Sequence, residues 1–217
     1  MAIKVKICGL KTDAALDAAL AGGADFIGLV FFGPSPRNIT PAAAAKLSAR
    51  ARGRAKVVAL MVDPDDSLLD AVAAAVAPDL IQLHGEEPPE RAAEIRRRWS
   101  TPVMKAIKVE TAEDVRDAAD YREAADLILF DARAPADSTR PGGNGAVFDW
   151  RALLGVKERM PFMLSGGLTP DNVAEAIRIT GAAIVDVSSG VETSPGEKDP
   201  ELIRRFLLEA KAAKEGG

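Results

Sequence analysis

Short apolar runs alternate with Ala-rich helical stretches from one end of the chain to the other. Continuous apolar segments such as Phe26-Ile27-Gly28-Leu29-Val30 and Leu127-Ile128-Leu129-Phe130 read as strands buried on both faces, the habit of parallel sheets. Strands are predicted over residues 3–8, 26–31, 56–62, 80–84, 103–109, 127–131, 162–165 and 184–188. Helices are predicted over 13–21, 41–51, 67–77, 89–99, 112–122, 149–154, 170–180 and 200–214. Many of these open on a start signal. Thr12, Thr40 before Pro41, Asp65, Thr111 and Thr169 before Pro170 supply a capping oxygen or a proline for the first turn.

Strict strand–helix alternation calls for a parallel sheet with helical crossovers. Eight units of about 27 residues close into a (β/α)8 TIM barrel, the α/β fold expected here. An open doubly wound sheet would have fewer strands and a G-x-G-x-x-G turn after the first, which is absent. No linker or composition shift divides the chain, so one domain over residues 1–217 is expected. An internal echo agrees with this. Cys8-Gly9-Leu10-Lys11-Thr12-Asp13 resembles Gly166-Gly167-Leu168-Thr169-Pro170-Asp171, and Gly23-Ala24 then falls on Gly181-Ala182. The echo places Cys8 at the C-terminal end of its strand, where barrels of this kind keep their chemistry.

A net charge of −4 and no basic cluster with interleaved aromatics argue against nucleic acid as a partner. No run approaches the ~18 apolar residues of a membrane span. The N-terminus has no apolar signal-peptide core, so a cytoplasmic location is expected. One Cys allows no internal disulfide, and one His rules out a multi-histidine metal site.

Several residues stand where a barrel would do chemistry. Cys8 alone reads as a small buried hydrophobe; at a strand end beside cations and helix N-termini it reads as an accessible thiolate near pH 7. Asp131 closes an apolar strand, either as a helix cap or turn residue or as a carboxyl whose pKa desolvation raises, so that it can give up a proton near neutral pH. Two segments suggest phosphate: Ser165-Gly166-Gly167-Leu168, and the stretch from Asp186 through Ser188, Ser189 and Gly190. Both follow the last two strands, the usual phosphate grip of this fold. The loop after the second strand presents Arg37 between stiffening prolines, as a surface residue or as a carboxylate or phosphate ligand. His84 ends the fourth strand, either lining a pocket or bonded in the core. Residues 132–145 form a long loop of functional-loop character.

These motifs occur in order: KICGL, GLVFF-GPSPR, IQLHG, the strand-end Asp131, GGNG-VFDW, LSGGLTPDNV and DVSSGVE-SPG-KD. Together they resemble the phosphoribosylanthranilate isomerase family of tryptophan biosynthesis, from Lys6 to about Phe206. The resemblance implies an Amadori rearrangement of N-(5-phosphoribosyl)anthranilate to 1-(2-carboxyphenylamino)-1-deoxyribulose 5-phosphate, with no metal or cofactor. It implies that Asp131 is the general acid at the ribose ring oxygen and that Cys8 is the general base at C2. It further implies that Arg37 binds the anthranilate carboxylate and that the loops at Gly166-Gly167 and Ser188-Ser189-Gly190 hold phosphate. Asn144 stands where the family commonly has Thr. The family's members are monomers or homodimers, so either is expected. A related pentose-phosphate epimerase would need several His ligands. The indole-forming synthase would need a strand-end Lys, for which Lys56 and Lys105 are available. A non-catalytic phosphosugar-binding barrel would tolerate loss of Cys8 or Asp131. A Cys base, where dual-substrate isomerases tend to use Asp, predicts a single substrate.

Overall fold

The computed structural model describes residues 2–133, 142, 143, 145, 147–158 and 160–213. Eight parallel strands close on themselves: β1 (Lys4–Cys8), β2 (Phe26–Phe31), β3 (Lys56–Met61), β4 (Leu80–Leu83), β5 (Val103–Val109), β6 (Leu127–Ala132), β7 (Phe162–Leu164) and β8 (Ile184–Val187). Each pairs with the next, and β8 returns to β1 with Lys6 opposite Asp186. The sequence-based strands agree with these to within a residue or so at each end. An edge-free barrel leaves no ladder groups open to other chains.

Helices α1 (Asp13–Ala21), α2 (Pro41–Ala51), α3 (Asp66–Val76), α4 (Pro89–Arg98), α5 (Val173–Thr180) and α6 (Pro200–Ala212) wrap the outside. Three of the five expected capping signals, Thr12, Thr40 and Asp65, cap a helix, and Thr111 and Thr169 do not. The side-chain oxygens of Thr12, Thr40 and Asp65 accept from Ala15, Ala43 and Leu68 N–H, satisfying first-turn donors. Outward strand residues and inward helix residues form one continuous apolar layer, from Val5 and Ile7 to Phe206 and Leu207. Burying a Leu or Ile there contributes roughly 1.5–3 kcal/mol each.

Three expected helices differ. Residues 114–121 and 150–153 form tighter 3-10 turns, Asp114–Tyr121 and Trp150–Leu153. The first buries only Ala118 fully, so packing does little to favour a regular α-helix there. The helix expected from residue 170 starts at Val173, because Asn172 Oδ1 accepts from Thr169 N–H and keeps the entering chain in a turn. The internal echo survives in the backbone: Gly9 and Gly167 both turn with positive φ, as do Gly23 and Gly181.

A recurring aspartate sets strand register at the base. Asp25, Asp79 and Asp126 each precede a strand and accept from an N–H at the start of the previous strand, at Val5, Val57 and Val103, at 2.8–2.9 Å. A buried N–H left without a partner there would be costly.

Candidate active site

Inward-facing side chains change character along the barrel axis. Lower down, Phe26, Val58, Leu80, Met104, Leu129 and Met163 form an apolar floor. Above them Lys6, Gln82 and Asp186 are buried and polar. At the C-terminal rim Cys8, His84, Asp131 and Ser165 line a pocket of about 760 Å³, its open mouth included. Its apolar flank is built from Val30, Phe32, Leu60, Val62, Leu168 and Val187.

Cys8 ends β1, and the chain then turns sharply. Gly9 has φ +83, and the N–H groups of Gly9 and Leu10 both donate to the Gly28 carbonyl. A Cβ at Gly28 would lie 2.8 Å from Cys8 Sγ, so glycine at 28 makes room for the thiol. The Cys8 carbonyl accepts from the Ser188 hydroxyl at 3.3 Å. Burial pushes the thiol up; Lys6 and Lys198 pull it down and Asp186 adds to the push, leaving it above its ordinary value. This corrects the expectation of a thiolate accessible near pH 7. The cations are in place, but burial of a side chain only 3% exposed outweighs them.

Lys6 faces inward one strand repeat below Cys8, with Nζ 3.0 Å from Asp186 Oδ1. Burial alone would lower Lys6. The Asp186 carboxylate and Cys8 outweigh it, and the ammonium titrates above its ordinary value. Asp186 lines the pocket while its carboxylate is held by Lys6.

Asp131 points inward from the end of β6. Its Oδ1 accepts from Ala132 N–H at 3.0 Å, and its Oδ2 lies 3.2 Å from His84 Nε2. Gln82 Nε2 is 2.9 Å from His84 Nδ1. With the amide nitrogen donating to Nδ1, His84 carries its hydrogen on Nε2 and donates to Asp131. Gln82 Oε1 is buried with no partner among the described residues. Gly142 covers this group so closely that a Cβ there would lie 2.7 Å from Asp131 Oδ2.

Arg37 is only 4% exposed despite its loop position. Ser35 Oγ accepts its N–H, and the Ile39 N–H returns to the Val30 carbonyl, folding the loop over the rim. Its stem lies on Gly9, where a Cβ would come within 2.7 Å of Arg37 Cδ. Its guanidinium meets Glu192 through Nε and Nη2, each at 2.7 Å. Burial raises the Glu192 carboxyl, but the Arg37 hydrogen bonds and Lys198 outweigh it and hold it at about 2.

Gly166 and Gly167, with φ +90 and +63, line the pocket after β7. Asn172 Nδ2–H donates to the Gly167 carbonyl at 3.0 Å and braces that turn. Ser188 and Ser189 line the same side. Gly190 stands behind them, so close to the Leu168 carbonyl that no side chain fits, and it packs loop against loop instead of lining the pocket. Lys56 and Lys105 are outside the pocket lining. Lys56 stacks over Phe26 at 6.0 Å, and Lys105 is locked to Glu87 at 2.7 Å and the Gly85 carbonyl at 2.6 Å. Residues 134–141 and Asn144 of the long loop lie outside the described residues.

Sequence reasoning missed Lys6, Gln82, Glu192 and Lys198. A charged or amide side chain at an inward position of an otherwise apolar strand was the available signal for Lys6 and Gln82. For Glu192 and Lys198 there was only their place in the last motif. The assembled site gathers a thiol, a carboxyl, a guanidinium and glycine-rich turns around one cavity.

The model of the family described as N-(5'phosphoribosyl)anthranilate (PRA) isomerase matches residues 5–209. The N-(5'-phosphoribosyl)anthranilate isomerase of Rhodopseudomonas palustris (strain BisA53) is 58% identical over 212 residues, covering 98% of this chain and 97% of that protein. A crystal structure of phosphoribosyl anthranilate isomerase in complex with reduced 1-(o-carboxyphenylamino)-1-deoxyribulose 5-phosphate superposes with a TM-score of 0.84 at 36% identity, covering 96% and 98% of the two chains. Monomers of the dimeric enzyme from Thermotoga maritima give 0.83 at 36% identity, with the same coverage. An eight-stranded barrel with this rim, matched along nearly its whole length, belongs to the N-(5'-phosphoribosyl)anthranilate isomerase family.

Proposed function

We propose that this protein, as a single barrel domain in the cytoplasm, isomerises N-(5'-phosphoribosyl)anthranilate to 1-(2-carboxyphenylamino)-1-deoxyribulose 5-phosphate. This is the third step from chorismate to tryptophan. The observation that carries the reading is that Cys8 and Asp131 line one pocket together with Arg37 and the turns after β7 and β8. Family membership supports it.

Asp131 gives a proton to the ribose ring oxygen, and the ring opens to an iminium cation. His84 holds the Asp131 carboxyl in place. Cys8 then takes the proton from C2, and the enolamine tautomerises to the ketone. The thiol sits above its ordinary value, so thiolate is scarce at neutral pH. The iminium offsets this by making the C2 proton acidic, while Lys6 stabilises the thiolate as it forms. Arg37 receives the ring carboxylate, the apolar flank receives the ring, and Gly166, Gly167, Ser188 and Ser189 receive the phosphate, with Asp186 at the sugar. The protein works without a cofactor, as a monomer or homodimer; the relative from Thermotoga maritima is dimeric.

The test is turnover of phosphoribosylanthranilate generated in situ, followed by loss of its fluorescence. Absence of turnover by the purified protein would overturn the assignment. The aminoimidazole substrate of histidine synthesis, run in parallel, is expected to remain unconverted.

A further inference from the structure

Glu192 opens a small hairpin, β9 (Glu192–Ser194) and β10 (Glu197–Lys198), beyond the last barrel strand. The mechanism above gives it no role, yet its carboxylate is buried against three donors. Arg37 occupies both oxygens through Nε and Nη2 at 2.7 Å. Lys198 Nζ reaches Oε1 at 2.6 Å, and Gly196 N–H reaches Oε2 at 3.1 Å. Lys198 also bonds the Ser188 carbonyl at 2.9 Å and its hydroxyl at 3.3 Å, tying the hairpin to the end of β8.

This geometry decides which edge of Arg37 meets a ligand. Nε is taken by Glu192, and Nη2 is shared between Glu192 and the Gly143 carbonyl at 3.2 Å. Among the described residues nothing accepts from Nη1, which lies against Gly143 at the pocket. An unheld arginine would lose rotamer freedom on binding; a held one has lost it beforehand. Two cations around one carboxylate leave the cluster net positive, so fixing Arg37 does not cancel its attraction for an anion.

We infer that Glu192, anchored by Lys198, is a positioning residue that presents the Nη1 side of Arg37 to the substrate's ring carboxylate and so sets the preference for a carboxyl-bearing aniline. The inference rests on the proposed isomerase reaction.

Binding is measured directly by calorimetry for two ligands: the reduced product analogue with its ring carboxyl, and the same molecule without it. Wild type, Glu192→Gln and Lys198→Met are compared, with thermal melts to establish that each is folded. Glu192→Gln is expected to weaken the carboxylated ligand by about 10-fold or more and the other by less than about 2-fold. Lys198→Met shifts the ratio in the same direction. In turnover, KM rises while kcat stays within about 3-fold, the pattern of a lost binding interaction. Equal weakening of both ligands, or no change in either, would overturn the inference. Calorimetry does not require turnover, so failure of the isomerase assignment shows up separately, in the wild-type assay.

Discussion

Lys6 and Asp186 face each other inside the barrel at 3.0 Å, an ion pair between the first strand and the last, 180 residues apart. Both side chains are buried. Removing one partner strands the other charge, whereas removing both leaves an apolar contact. Lys6→Met alone should therefore cost about 3–5 kcal/mol of stability, and Lys6→Met with Asp186→Leu distinctly less. Urea unfolding of the single and double variants checks this. A double variant no more stable than the single would show that the pair is not coupled.

Cys8 is the chain's one cysteine, so alkylation reports it without ambiguity. Burial sets its thiol above the ordinary 9.0. Iodoacetamide reactivity of the free enzyme should still be rising at pH values where an ordinary thiol has levelled off. Alkylation with an ordinary or lower midpoint would contradict the burial argument. Cys8→Ala should lower kcat by at least ~100-fold, as expected for loss of a general base.

His84 is likewise the one histidine. Its contacts with Gln82 and Asp131 place the ring hydrogen on Nε2. Nitrogen-15 spectra of the free enzyme should show that tautomer near neutral pH, and an Nδ1–H signal would reverse the orientation. Asp131→Asn should lower kcat by at least ~100-fold. His84→Ala, which loosens the acid without removing it, should lower it by about 10-fold.

Gly28→Ala would place a methyl group 2.8 Å from Cys8 Sγ and 3.0 Å from Cys8 Cα. The neighbour is a strand backbone with little freedom to move. A stability loss of about 1–3 kcal/mol is expected from overpacking. A fall in kcat of about 10-fold or more should accompany it, because the base is displaced. Unchanged kcat in a folded variant would show that the thiol has slack.

Glu192 is held at about 2, below its ordinary 4.5. A folded value below the unfolded one contributes stability that is complete above the unfolded value and lost as pH falls through the folded one. Between about pH 5 and pH 2 the stability gap between wild type and Glu192→Gln should narrow by up to about 3 kcal/mol. Thermal melts across that range test it, and a constant gap would refute the depressed value.

The barrel was legible because strand burial and helix caps are local signals. Val57 to Val62 and the Thr40-Pro41 start carry their structure within a few residues. The placing of Cys8 and Asp131 followed from counting strands. The ion pairs at the rim did not follow, since Arg37 and Glu192 are 155 residues apart and no periodicity links them. The direction of the Cys8 shift did not follow either: both burial and cations were legible, and only the closed barrel shows that burial outweighs the cations. The segment Asp114–Tyr121 forms 3-10 turns because its alanines and the Thr111 start favour a helix that too few buried contacts hold in regular α form.

The pairing of β8 with β1 also governs when the site can exist during synthesis. Cys8 leaves the ribosome long before Asp186, Ser188 and Lys198, which lie at least 178 residues further along the chain. Until they arrive, the thiol lacks the wall that buries it and the Lys198 charge that partly offsets that burial. A chain stalled or clipped before β8 would therefore carry an open, ordinary cysteine on an unclosed sheet, exposed to oxidation and to pairing with its own kind. Ring closure thus protects the reactive group as well as completing the site, and it waits on β8.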